Sequence, residues 1–138
     1  MTIGIDKIGF ATSNYVLKLD DLAEKRGIDP EKLSKGLLLK ELSIAPITED
    51  IITLGASAAE SILSEKDKQE IDMVIVATES GTDQSKAAAV FIHGLLGIQP
   101  FARSFEIKEA CYGATAALDY AKDRKSTRLN SSHLAESR

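Results

Sequence analysis

The hydrophobic pattern of the chain alternates between segments typical of strands and segments typical of helices. Apolar residues at positions 3, 5, 8 and 10 are separated by polar or small ones, which predicts a first strand with one buried face. Residues 71–78 are almost continuously apolar and β-branched, which predicts a central strand covered by helices on both faces. A shorter strand is predicted over residues 103–107.

Start and stop signals place helices between these strands. Asp20 is predicted to begin a short helix that ends at Gly27. The Asp29–Pro30 pair begins a second helix, because aspartate is a good cap and proline suits the first helical position. An acidic turn at 48–50 begins a longer helix, with an apolar stripe of Ile51, Leu54, Ala58 and Ile62. Further helices over 87–97 and 111–122 complete an alternation that indicates an α/β layered architecture.

Composition and charge narrow the class of protein. The 138 residues correspond to one domain at most, or to part of one, and 43% hydrophobic with 28% charged residues is typical of a globular protein. A net charge of -4 gives no basic surface for nucleic acid or anionic lipid. Neither a signal-peptide pattern nor an apolar run of about 18 residues occurs, so we expect a cytoplasmic protein without a membrane partner.

Cys111 is the one cysteine of the chain, which excludes an internal disulfide and a multi-cysteine metal site. It follows a predicted strand and stands where small residues begin a helix. The positive end of that helix favours the thiolate, which is the form that accepts acyl groups. Gly113 and Ala114 carry no bulky side chain, so a substrate carbonyl could approach the backbone N–H donors. On this pattern alone, a buried and inert thiol is the alternative.

Glu79 is the second candidate, because it comes directly after the apolar strand 71–78. Parallel-sheet enzymes place functional groups at the carboxyl ends of strands, and partial burial there favours a carboxylate as a general base. The alternatives are a solvated loop acid or the cap of the next helix. Asp83 and Lys86 of the same loop are predicted to be cap and surface residues.

Other chemistry-bearing positions give weaker signals. His93 lies in an apolar helical stretch and is predicted to be a packed structural residue. His133 belongs to a C-terminal segment of different character and is a weaker candidate still. The chain has no GxGxxG, GxxxxGK[ST], HExxH or CxxC motif, which removes the usual signals for dinucleotide, phosphate and metal sites.

Two motifs together resemble a known family. Glu79 in VATESGTDQSKA and Cys111 in EIKEACYGATAAL are similar to hydroxymethylglutaryl-CoA synthase of the thiolase superfamily, in its bacterial form. The resemblance covers residues 1 to about 124, and the ACYGATAA segment is highly specific to that family. It implies a thiolase-like layered fold, a mixed sheet covered by helices, of which this chain would be the N-terminal half.

The resemblance also implies roles for the candidate residues. Acetyl-CoA would acetylate Cys111, and Glu79 would remove a proton from the acetyl methyl group. The enolate would attack acetoacetyl-CoA, and hydrolysis would release hydroxymethylglutaryl-CoA for the mevalonate pathway of isoprenoid precursors. Asp29 resembles a position at the acyl-CoA site, and Gly113 is the other expected substrate-binding residue. The family implies acyl-CoA substrates, no cofactor, no metal and a full-length homodimer.

The end of the chain departs from the family pattern. Family members have a second, similar half and a catalytic histidine far downstream, whose position neither His93 nor His133 matches. Residues 125–138, KSTRLNSSHLAESR, lack strand or helix periodicity and carry three basic residues against one acidic residue. A solvated tail is one interpretation, and foreign sequence joined to a truncated gene is the one we favour. We therefore expect an N-terminal half over 1–124, a non-native tail over 125–138, and no synthase turnover by this chain.

Two other functions remain open from the sequence. A ketoacyl-acyl-carrier-protein synthase or a thiolase would also use an acylated cysteine, although Glu79 in the TES motif favours the first family. A non-catalytic α/β interaction domain would contain Cys111 as a packed thiol. Labelling with iodoacetamide would separate that last possibility from the enzymes, because a packed thiol reacts slowly.

Overall fold

A computed structural model describes residues 3–123, so the predicted tail 125–138 and His133 lie outside the described residues. The elements in chain order are β1 (Tyr15–Lys18), α1 (Leu19–Arg26), α2 (Pro30–Leu37), β2 (Glu41–Ile44), α3 (Ile51–Glu60), α4 (Glu65–Glu70), β3 (Met73–Ala77), α5 (Ala88–Leu96) and β4 (Arg103–Ile107). A 3₁₀ turn (Ala110–Tyr112) then leads into α6, which covers residues 113–123. Two separate two-stranded sheets form within the described residues, one antiparallel and one parallel.

Residues 15–44 form the first part of the structure, which we call the N-terminal unit. Strands β1 and β2 pair antiparallel, from Tyr15 opposite Ile44 to Lys18 opposite Glu41, with α1 and α2 between them in the chain. The sequence did not predict this pairing. Because its two strands are four residues each and separated by two helices, their periodicity is too short to reveal a partner.

The helices of the N-terminal unit confirm the capping predictions with one adjustment. Helix α1 begins at Leu19, with Lys18 at the cap position in place of Asp20, and ends at Gly27. Gly27 has a φ of 62°, a left-handed conformation that favours glycine at a helix C-terminus. Helix α2 begins as predicted, because the Asp29 side chain accepts a hydrogen bond from the backbone N–H of Glu31.

Residues 51–123 form a layered unit around the parallel pair β3 and β4. Helices α3 and α5 cover one face of the sheet, where Val74 and Val76 pack against a buried cluster of Ile52, Ala88, Ile92, Leu96 and Ile98. Helix α6 covers the other face, where the rings of Phe105 and Tyr120 meet edge to face with centroids 5.3 Å apart. The prediction of helices on both faces of this strand is therefore confirmed, although β3 itself is only half-buried and Ala77 is exposed.

Local capping explains where the helices before β3 begin. The Asp50 side chain accepts the Thr53 N–H while the Thr53 hydroxyl accepts the Asp50 N–H, so α3 begins at Ile51, as the acidic turn predicts. Of the predicted stripe, Ile51, Leu54 and Ala58 are half-buried, and Ile62 lies beyond the helix end. Helix α4 was not predicted, and it begins with a second reciprocal cap between Ser64 and Asp67.

The predicted first strand over positions 3–10 is wrong. Ile3, Ile5, Ile8 and Phe10 are between 41% and 83% exposed, and the segment pairs with no strand of the described residues. An alternating pattern predicts which side chains share a face, but a strand also needs a backbone partner alongside it. An ion pair between Lys7 and Asp67 of α4 attaches this segment to the layered unit, and the backbone at Gly9 lies against the end of α3.

Candidate active site

The parallel pairing of β3 with β4 brings two candidate residues to the same edge of the sheet. Ala77 lies opposite Ile107, so both strands end at the same level, and the Thr78 N–H donates to the Ile107 carbonyl at 3.2 Å. Glu79 follows Thr78 directly, and Cys111 comes shortly after Ile107. The carboxyl ends of parallel strands are where α/β proteins place their functional groups.

Cys111 lies in the 3₁₀ turn immediately before α6, and its side chain is free and exposed. Gly113, the first residue of α6, is buried against the strand ends. A Cβ added to it would be 3.5 Å from the Cβ of Ala77 and 3.6 Å from the Ile107 carbonyl oxygen. The predicted position of Cys111 at the start of a helix is therefore confirmed. Within residues 3–123 the Cys111 thiol is exposed, in contrast to the alternative of a buried thiol.

The backbone just before Cys111 is strained. Ala110 has a φ of 45°, in the left-handed region that residues with a Cβ rarely adopt. Such conformations destabilise by about 1–3 kcal/mol each and occur mostly at functional sites, where the surrounding structure holds them. Here, the turn reverses the chain between β4 and α6 and presents the Cys111 side chain outward at the edge of the sheet.

The loop between β3 and α5 carries Glu79, whose side chain makes no hydrogen bond or ion pair with the described residues. Glu79 is exposed, so the expected partial burial is not found in residues 3–123. The cap predicted at Asp83 is wrong for α5, whose N-cap position is Ala87. The Asp83 Oδ1 instead accepts the N–H groups of Ser85 and Lys86 within the loop, and these bonds lower the pKa of Asp83. Lys86 is exposed over the Phe91 ring, 4.0 Å from its centroid.

Glu106 is a residue of this edge that sequence reasoning missed. It lies on β4 with only 8% of its side chain exposed, and its Oε2 accepts the Ala88 N–H at the start of α5. The alternation in β4 could not reveal it, because Ser104 and Glu106 are both polar, and polar residues at alternate positions predict a solvent-exposed face.

The remaining candidates lie away from this edge. Asp29 is exposed and caps α2 in the N-terminal unit. His93 Nε2 is 3.0 Å from the Gln99 carbonyl oxygen, just before β4 and therefore at the opposite end of the strands from Cys111. This contact confirms the structural role predicted for His93. The structure thus brings together Glu79, Cys111 and Gly113, and no described contact links Asp29 to them.

Cavities, metal-binding clusters and membrane helices give no further evidence about the edge that carries Glu79 and Cys111. A groove of about 560 Å³ runs between residues 4–7 and α6, near the start of β3 and away from Cys111. Within residues 3–123, no cluster of three His, Cys, Asp or Glu side chains could hold a metal ion. The same residues contain no helix that is long and apolar enough to cross a membrane.

Known proteins match this chain strongly over part of their length. Hydroxymethylglutaryl-CoA synthase of Enterococcus faecalis is 58% identical over 123 residues, which are 89% of this chain and 32% of that protein. A polyketide 3-hydroxy-3-methylglutaryl-ACP synthase of Bacillus subtilis, PksG, is 36% identical over 88% of this chain and 29% of its own length. A crystal structure of hydroxymethylglutaryl-CoA synthase complexed with CoA is 67% identical with a TM-score of 0.88, over 93% of this chain and 33% of that one.

These matches define the class of the protein. The described residues have a thiolase-like fold, in which an α/β layer carries the cysteine-bearing turn at the end of a strand. Within that class, the chain is homologous to the N-terminal part of hydroxymethylglutaryl-CoA synthases and spans about a third of the length of the relatives it matches. No protein-family profile matches the chain.

Proposed function

We propose that this chain supplies the acyl-transfer edge of a hydroxymethylglutaryl-CoA synthase. The observation that carries the proposal is the placement of Glu79 and Cys111 after neighbouring parallel strands that end at the same level. The 58% identity to the Enterococcus faecalis synthase supports the same conclusion from sequence. The reaction would condense acetyl-CoA with acetoacetyl-CoA in the mevalonate pathway.

The first step would be acyl transfer to Cys111. Its thiolate attacks the acetyl carbonyl of acetyl-CoA, a new S–C bond forms, and the CoA thiolate leaves with the electron pair of the broken bond. Backbone N–H groups at the start of α6 are placed to stabilise the oxyanion of this step. An exposed sulfur beside a helix N-terminus is suited to this chemistry, because an acyl donor can reach it.

The second step would be proton removal by Glu79. Its carboxylate takes a proton from the methyl group of acetyl-Cys111, and the C–H electron pair becomes the enolate that attacks the ketone carbon of acetoacetyl-CoA. Water then hydrolyses the thioester to Cys111 and releases the product. The histidine that protonates the ketone oxygen in the family would come from outside residues 3–123, since His93 lies at the other end of the strands.

Several parts of the proposal concern the whole protein. Residues 1–124 would belong to the N-terminal half of the synthase domain, with Asp29 and Gly113 at the acyl-CoA site. The complete enzyme would be a cytoplasmic homodimer that needs no cofactor or metal beyond its acyl-CoA substrates. The 138-residue chain alone would show no synthase turnover, because the ketone-polarising histidine that condensation needs is missing from this edge.

Acetylation of Cys111 tests the proposal most directly. The experiment uses the complete synthase, in which residues 1–123 continue as in the relatives. Incubation with acetyl-CoA should add one acetyl group at Cys111, detected by peptide mass spectrometry, and Cys111→Ser should lose that modification. Acetylation of the Cys111→Ser protein to the level of the parent would refute the assignment of the nucleophile.

A second acyl donor has specific support. The relative PksG is named as an ACP synthase, so an acetyl group carried on acyl carrier protein is the alternative substrate. The same experiment distinguishes the two donors if acetyl-CoA and acetyl-ACP are supplied separately. We expect faster acetylation by acetyl-CoA, in accord with the higher identity to the CoA-dependent relative.

A further inference from the structure

Glu106 links the start of α5 to the end of β4. Its Oε2 accepts the Ala88 N–H at 2.7 Å, across 18 residues of sequence. Helix α5 has Ala87 at its N-cap position, and no side chain of its own caps it. A carboxyl group at the positive end of a helix is favourable, so Glu106 supplies from β4 the cap that the α5 sequence lacks.

The other oxygen of Glu106 faces the loop that carries Glu79. Oε1 is buried and accepts no hydrogen bond from the described residues, while the Lys108 amino group lies 3.5 Å away. A Cβ added to Gly81 would be 2.7 Å from this oxygen and 3.2 Å from the Lys108 Cε and Nζ atoms. Glu106 and Lys108 therefore form a surface against which the backbone at Gly81 rests.

Three contacts with β4 thus fix the loop 78–87. Its first residue, Thr78, donates to the Ile107 carbonyl, its middle rests on Glu106 at Gly81, and its end is held where Glu106 accepts the Ala88 N–H. The same strand continues directly into the turn with Cys111. A shift of the loop relative to β4 would therefore change the distance between Glu79 and an acetyl group on Cys111.

We propose that Glu106 is a positioning residue, which sets the place of Glu79 relative to acetyl-Cys111 for proton removal. The proposal rests on the function proposed above, because it assigns Glu106 no chemistry of its own. It explains why a carboxyl group is buried on β4 although one of its oxygens, Oε1, accepts no hydrogen bond from the described residues. An apolar residue there would cover the sheet without holding the loop.

The test compares Glu106→Leu and Glu106→Gln in the complete synthase, with Ser104→Ala as the control. Ser104 is half-buried on the same face of β4, and its hydroxyl makes no described hydrogen bond with the loop. Hydrogen exchange should be about tenfold or more faster at amides 80–88 in Glu106→Leu, because one charge-assisted hydrogen bond is lost. Glu106→Gln keeps an oxygen for the Ala88 N–H, so its exchange should stay close to that of the parent.

Kinetics provide the second measurement. In Glu106→Leu, acetylation of Cys111 should stay within about threefold of the parent while condensation falls about tenfold to a hundredfold, and Glu106→Gln should recover most of that loss. Unchanged loop exchange in Glu106→Leu, or equal loss of acetylation and condensation in both variants, would overturn the proposal. If the parent itself does not acetylate Cys111, the proposed function fails, and the exchange data alone still decide whether Glu106 holds the loop.

Discussion

The N-terminal unit and the layered unit are built from elements of similar length, yet they bury very different amounts of apolar surface. In the N-terminal unit, only Leu19 and Ala23 are buried apolar residues, and many large ones are exposed: Tyr15, Val16, Leu37, Leu38, Leu39 and Ile44. In the layered unit, α3 and α5 pack a continuous buried cluster against one face of β3 and β4, and α6 covers the other face. A pair of short antiparallel strands with two short helices has no second layer that could cover its apolar side chains.

The comparison shows which of the two units can hold a side chain at a precise position. Glu79 and Cys111 lie on the layered unit, where strand pairing and packed helices fix the backbone on either side of them. Asp29 lies on the N-terminal unit, whose elements are more exposed. Groups that transfer protons or acyl chains need the fixed backbone of the layered unit. A residue that contacts the distant part of a substrate can lie on the more exposed N-terminal unit.

The largest effect is expected from Glu79 on the layered unit. Glu79→Ala in the complete synthase should spare acetylation of Cys111, because forming the thioester needs no base for the methyl proton. Condensation should fall at least about a hundredfold, the typical loss for a general base. Quenched-flow measurement of acetyl-enzyme and product separates the two steps. A parallel fall in both would show that Glu79 has a structural role.

The buried cluster of the layered unit should be sensitive to a single truncation. Ile92 is 5% exposed on α5, so Ile92→Ala should lower the free energy of unfolding by about 2–5 kcal/mol, through lost burial and an internal cavity. Leu95 on the same helix is 64% exposed, so Leu95→Ala should change the free energy of unfolding by less than about 0.5 kcal/mol. Urea denaturation of the complete synthase gives both values. Equal effects of the two substitutions would mean that Ile92 does not lie on the buried face of α5 and Leu95 on its exposed face.

Asp29 separates a capping role from a substrate role in the N-terminal unit. Asparagine also caps helices, so Asp29→Asn should keep α2 intact, whereas Asp29→Ala should cost about 1 kcal/mol of stability. If Asp29 contacts the acyl-CoA, Asp29→Asn should still raise KM for acetyl-CoA with kcat nearly unchanged. Steady-state kinetics of both variants decide this. Normal KM in Asp29→Asn would leave Asp29 with only its capping role.

The smallest effect concerns the attachment of residues 3–10 through Lys7. The hydrogen bond from the Lys7 amino group lowers the pKa of Asp67 below its ordinary value of 3.8, with further help from the Ser64 N–H and hydroxyl. A lowered pKa in the folded state contributes stability above the unfolded-state value, and this contribution is lost as pH falls through the folded-state value. The stability advantage of the parent over Asp67→Asn should therefore be present at pH 7 and shrink below about pH 4.

Thermal unfolding across this pH range measures the difference. The control is Glu70→Gln, which removes the exposed pair between Lys66 and Glu70 on the same helix, with an N···O distance of 3.6 Å. Such exposed pairs contribute little, so this variant should match the parent at every pH. An Asp67→Asn difference that stays constant down to acid pH would contradict the assigned ion pair.

The layered unit was more predictable from sequence than the N-terminal unit, for physical reasons. Asp50 and Gly97 are local signals whose effect does not depend on distant residues, and the helices they begin or end form where predicted. The apolar run that became β3 was recognised because a strand covered on both faces has few polar residues. The antiparallel pairing of β1 with β2 was not predicted, and the strand predicted at 3–10 does not form. Both errors arise because pairing depends on a partner strand, which the periodicity of one segment does not identify.

The candidate active site was also predictable from the sequence only in part. Placement of Glu79 and Cys111 after strands follows from the general build of α/β proteins, and the motifs around them carried the family resemblance. The contacts of Glu106 with Ala88 and Gly81 could not be predicted, because they depend on the register of β4 against the loop and on which face Glu106 occupies. A shift of one residue in that register would turn Glu106 toward α6.

Parallel pairing of β3 with β4 also has a consequence for the order of events during protein synthesis. β3 leaves the ribosome before α5 and β4, so its backbone has no strand to pair with until Ile107 has emerged. In that interval the nascent chain exposes an apolar strand, which is a target for chaperones and for misassociation between neighbouring chains. Slow decoding just after β4 would give the pair time to form before the rest of the chain appears.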